Sequence, residues 1–64
     1  MRQIAIEPEG SRWVHVHDEE RSKLFERRGD AEAWAVARAR SVGGAVLITK
    51  SPTGEIEQRR VVKP

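Results

Sequence analysis

The stretch Gly29–Gly44, GDAEAWAVARARSVGG, decides the reading of this chain. It is the one run with a clear helical signature. Asp30 is placed to cap the start, since a short carboxylate accepts from the free N–H groups of the first turn. Glu32 then puts negative charge where the helix dipole favours it. Ala31, Ala33, Ala35, Ala37 and Ala39 are strong helix formers. Arg38 and Arg40 suit the C-terminal turn, and Gly43 can take the left-handed conformation that ends a helix. An inward stripe of Ala33, Trp34, Ala37 and Ser41 is expected, with the Trp34 indole at the centre of the core.

The segments on either side read as strands. Arg2–Ile6 alternates, with Ile4 and Ile6 on one side and Gln3 and Ala5 on the other. Pro8 and Gly10 break the run, so Glu7–Ser11 is read as a hairpin loop. Arg12–His17 alternates again: Val14 and Val16 share one side, and Trp13, His15 and His17 share the other. Asp18–Arg21 is a polar connection without glycine, read as a loop built on a type I turn with exposed acids. Ser22–Arg28 is taken as a third strand with Phe25 inward, a short helical turn being the alternative. Beyond the helix, Ala45–Lys50 is β-branched and short, hence a strand. Ser51-Pro52-Thr53-Gly54 carries proline and glycine at the second and last turn positions. Glu55–Val62 returns as the last strand, anchored by Ile56.

The expected fold is therefore α+β: a two-layer sandwich over residues 1–64, in the order β-β-β-α-β-β, with one helix packed on one face of an antiparallel sheet. The helix-facing set is read as Ile4, Ile6, Val14, Val16, Phe25, Val46, Ile48 and Ile56. A chain of 64 residues makes one domain at most. Its core contributes roughly 3–5 kcal/mol net, unless association or a ligand adds to it. The absence of cysteine removes disulfides, thiolate zinc sites and thiol nucleophiles. No apolar run approaches the roughly 20 residues of a membrane span. The apolar patch in Met1–Gly10 is too short for a signal peptide. A cytoplasmic location, with no membrane partner, is the expectation. Twelve basic and ten acidic side chains leave a net charge of +2. With a pI of 9.7, the basic character is a small excess of arginine, and its placement matters more than its total.

Trp13-Val14, Ser22 with Phe25, Ala33-Trp34 with Ala37, Val46–Ile48 and Gly54-Glu55-Ile56 together resemble a family of small bacterial proteins, domain of unknown function 2188. The resemblance covers Arg12–Ile56 and implies a fold of the kind just described. It implies no catalytic residue. Two positions depart from the family pattern: Trp34 stands where a smaller aliphatic residue is usual, and Pro52-Thr53-Gly54 replaces the more usual Asp-Gly.

No catalytic constellation is present, so a non-enzymatic protein without cofactors is expected. The serines have no base beside them. Gly43-Gly44 follows a helix instead of opening one, so it cannot cradle phosphate. Asp18, Glu19 and Glu20 read as three exposed acids with no pocket to separate their pKa values. His15 and His17 point the same way, but neither a third histidine nor a cysteine completes a zinc set, and Asp18 would point oppositely; no metal is expected. Trp13, His15 and His17 form an aromatic row on the face away from the helix, with Leu47 expected on that face and Arg12, Arg27 and Arg59 gathering along one edge. That surface suits self-association or a protein partner. Its alternative use is stacking unpaired bases of a nucleic acid.

Overall fold

The computed structural model describes residues 2–64. Five strands and one helix follow in the expected order: β1 (Gln3–Glu9), β2 (Trp13–His17), β3 (Ser22–Phe25), α1 (Arg28–Ser41), β4 (Ala45–Lys50) and β5 (Ile56–Val62). The sheet order is β3-β2-β1-β4-β5. The sheet is mixed, not wholly antiparallel, because β1 and β4 run parallel. The cause is the helix: it carries the chain back to the end of the sheet where β3 began, so β4 starts alongside β1 and must run with it.

α1 begins earlier than the sequence suggests. Arg27 takes the N-cap position without a side-chain hydrogen bond, and Asp30 lies inside the first turn, where its charge suits the dipole. The C-terminus closes by glycine, as expected. Gly43 has φ +85°. Its N–H donates to the Arg40 carbonyl at 3.2 Å, and the Gly44 N–H donates to the Ala39 carbonyl at 2.8 Å. This pair of bonds is the Schellman arrangement.

The helix face differs from the expected stripe. Ala31, Ala35 and Ala39 are fully buried, whereas Ala33, Ala37 and Ser41 are exposed. Five alternating alanines put small side chains on both sides of the helix, so they cannot set its rotation. Small residues against the sheet let the helix lie close to it. The larger Trp34 is half-buried at the flank of the core, where its ring meets Phe25 with centroids 6.0 Å apart. Beneath the helix lie Ile4, Ile6, Val16, Ala45, Leu47 and Val62, with Val14 and Phe25 at the margin.

β4 and the start of β5 have the opposite phase from the one expected. Ile4 pairs with Leu47 and Ile6 with Thr49, so Leu47 and Thr49 face the helix and Val46 and Ile48 face away. Both sides of β4 are apolar, so alternation alone could not choose between them. β5 pairs Thr49 with Gln58 but Lys50 with Ile56, leaving Glu57 as the extra residue of a bulge. That extra residue turns Ile56 to the same side as Arg59 and Val61, away from the helix. The hairpin turn is as read: the Gly54 N–H donates to the Ser51 carbonyl at 2.9 Å, and Ser51 Oγ accepts from the Glu55 N–H at 3.2 Å.

Asp18 is the second departure with consequences. Its side chain is 0% exposed, not one of three exposed acids. Oδ1 accepts the Glu20 and Arg21 backbone N–H groups, each at 2.8 Å. Oδ2 accepts Arg38 Nε at 2.9 Å. Glu20 adds an outer contact, its carboxylate 2.8 Å from Arg2 Nη2 and 3.5 Å from Arg38 Nη2. The β2–β3 turn, the start of β1 and the last turns of α1 are thereby tied at one point. Burial raises the Asp18 pKa, but the N–H groups of Arg21 and Glu20 and the Arg38 guanidinium outweigh it and hold it at about 2.

Asp18→Ala leaves the Arg38 guanidinium without its main partner and is expected to cost about 3 kcal/mol, read as a lowered urea midpoint. The acid behaviour follows from the lowered pKa. The Asp18 contribution is fully present above its unfolded pKa near 4 and is lost as pH falls through about 2. Urea denaturation at pH 6 and pH 2 is expected to differ by about 2 kcal/mol more in the wild type than in Asp18→Asn.

Candidate functional site

The sheet has a second face, and α1 does not cover it. Strand alternation and register place its residues in rows. His15 sits between Leu24 and Glu7, and Lys50, paired with Ile56, follows on the far side of Glu7. In the next row, Ser22, His17, Ala5, Ile48 and Arg59 are successive neighbours. Gln3, Val46 and Val61 form a third row, and Glu9 pairs with Trp13 at the opposite end. Trp13 (41% exposed), Leu24 (51%), Ile56 (52%) and Val61 (58%) are the exposed large hydrophobic residues among those described. All four stand on this open face.

Trp13, His15 and His17 lie where the sequence places them. Leu47 does not: it is buried beneath the helix, because β4 has the phase described above. Arg12, Arg27 and Arg59 do not share an edge. Arg12 lies in the β1–β2 turn, with its guanidinium 5.9 Å from the Trp13 ring and 3.5 Å from the Glu26 carboxylate. Arg27 precedes the helix, next to the end of β3. Arg59 is on β5, the opposite edge strand. Sequence reasoning counted three strands before the helix but could not set the order in which they pair with the last two.

The histidines have neighbours the sequence reading missed. Their rings stack, with centroids 4.8 Å apart and planes inclined by 22°. Glu7 Oε2 lies 3.3 Å from His17 Nε2, and Glu9 Oε2 lies 3.6 Å from His15 Nδ1. Lys50 Nζ stands 2.9 Å from Glu7 Oε1. Glu7 is in reach because β1 continues through Pro8 to Glu9. Pro8 is tolerated there: the described β4 pairing ends at Ile6, so no ladder bond is lost on that side. The signal was present as continued alternation, with Gln3, Ala5, Glu7 and Glu9 set against Ile4, Ile6 and Pro8.

Chemically, the face offers a mixed surface. Carboxylates lie on β1, basic groups on β4 and β5, aromatic rings on β2, and apolar side chains at the rim. The face holds a shallow trough of about 560 Å³ whose lining includes Ala5, His17, Ile48, Ile56 and Arg59. No helix in the described residues is long and apolar enough to cross a membrane. The Lys50 ammonium draws the Glu7 pKa down against the opposing effect of burial, with His17 adding to the lowering. Lys50→Met is therefore expected to raise the Glu7 pKa, read from the pH dependence of its side-chain carboxyl resonance by NMR.

No protein-family model, curated protein or solved structure is matched by this chain.

Proposed function

We propose that this chain is a non-enzymatic, cytoplasmic association module that forms a homodimer through the open face of its sheet. The observation that carries the reading is the gathering of Trp13, Leu24, Ile56 and Val61 on one face. Large apolar side chains exposed together on one face suit a partner, and here they stand at its rim on β2, β3 and β5. The edges offer less. β3 is only four residues long, and β5 presents Glu57, Gln58, Arg59 and Arg60 in succession. Short or charged edges disfavour strand addition.

Charge placement favours a second copy of the same chain. Glu7 and Glu9 lie on β1, and Lys50 and Arg59 lie on β4 and β5. A two-fold axis parallel to the strands and passing between β1 and β4 lays β1 of one copy over β4 of the other, so Glu7 meets the partner's Lys50 twice. The chain measures 32 × 20 × 19 Å. Its broad face is thus of the order of the ~800 Å² per partner that a stable interface buries. The resemblance to domain of unknown function 2188 is compatible with this proposal and adds no residue to it. Nucleic acid has weaker support: the arginines are dispersed, and Glu7 and Glu9 put carboxylates against the histidines, where phosphate would be repelled.

Size-exclusion chromatography with light scattering tests the proposal. The wild type is expected to run as a dimer, and Val61→Asp or Trp13→Asp is expected to weaken association at least tenfold, about 1.4 kcal/mol, while leaving the far-UV spectrum unchanged. A wild type that stays monomeric at millimolar concentration overturns it. Binding to single-stranded oligonucleotide that fades steeply with salt would favour the nucleic-acid reading instead.

A further inference from the structure

We infer that Glu7, His15 and His17 form a binding site for a divalent transition-metal cation of the zinc class. Each offers one ligand atom, and the three atoms lie within 4.8 Å of one another. Glu7 Oε2 and His17 Nε2 are 3.3 Å apart. Donors bound at ~2.0–2.1 Å in a tetrahedral site stand about 3.3–3.4 Å from each other, so this pair already has the required spacing. The remaining donor, on His15, lies within 4.8 Å of both.

The supporting chemistry is also present. Glu7 binds Lys50 through Oε1, which leaves Oε2 for the cation. The Glu9 carboxylate stands 3.6 Å from Nδ1 of His15. That distance is too long for a hydrogen bond, but it places negative charge beside a ligand ring, as outer carboxylates do around bound metals. Imidazole and carboxylate donors together suit zinc, nickel or copper better than calcium or magnesium. Both ligand-bearing strands are interior, β1 between β2 and β4, and β2 between β3 and β1. The β2 backbone carrying both histidines is therefore paired on both sides, and Glu7 is set opposite His15 by the β1–β2 ladder. Three protein ligands leave a fourth position open to solvent, for water or a donor from a bound molecule. Lys50 is the opposing charge, and its flexible stem lets the ammonium swing away when the cation enters.

The site comes from one chain and does not rest on dimerisation. Zinc chloride is titrated by calorimetry and by NMR of the imidazole resonances, using tag-free wild type and the Val61→Asp variant. Saturable binding of one zinc per chain, with both histidine rings shifting, is the expected result in at least one of the two. Glu7→Gln, which keeps the side-chain shape, is expected to weaken it at least tenfold. His15→Ala/His17→Ala is expected to abolish it, with a thermal melt verifying that the variant is folded. Absence of saturable binding in both preparations overturns the site, as does binding that survives either substitution unchanged. The dimer is judged separately by light scattering without zinc, so the two failures are distinct.

Discussion

Covering is the constraint from which the rest of this structure follows. A helix of 14 residues is about 21 Å long and about 10 Å wide, and five strands span roughly twice that width. It can seal one side of the sheet only down its middle. The chain meets this limit by placing alanines at the contact so that the helix lies close, and by filling the flanks with Val14, Phe25, Trp34, Val36 and Val42. The other side receives no layer among the described residues. Its surface combines apolar groups with paired charges in a way that suits neither a core nor an ordinary solvated face.

The sealed side is held by a polar link as well as by packing. Asp18 sits where the β2–β3 turn meets the helix, with its two oxygens divided between backbone N–H groups and Arg38. Arg38 Nη2 is buried without a well-formed hydrogen bond, and Glu20 at 3.5 Å supplies charge instead. Apolar contact beneath a stripe of alanines is modest, so a charge-assisted bond at the end of the helix carries weight in fixing its position. It also explains how an acid in a loop rich in acids can be wholly enclosed while its neighbours remain in water.

Much of the architecture was legible in the sequence. The element order, the helix and its glycine stop, the two hairpins and the placement of Trp13, His15 and His17 all follow from local pattern and turn chemistry. What escaped was phase. Ala45–Lys50 is apolar on both sides, so nothing local says that Leu47 goes under the helix and Ile48 away from it. The helix has alanine on opposite sides, and its rotation is set by how closely it can approach the sheet. The Asp18–Arg38 bond joins positions twenty residues apart, and no spacing rule points to it. Glu7 was missed for a different reason: a proline was read as the end of a strand that continues through it.

The extra residue at Glu57 decides what kind of surface this molecule shows. In an uninterrupted ladder, Ile56 would have the parity of Gln58 and Val62 and lie toward the helix, where full burial of its side chain is worth about 1.5–3 kcal/mol. One inserted residue reverses its allegiance, and the isoleucine lies half in water beside Ile48 and Arg59. The last strand thus forgoes the burial of an apolar side chain that an uninterrupted ladder would place inside. One irregularity in the ladder moves a whole side chain from the helix side of the last strand to its open side.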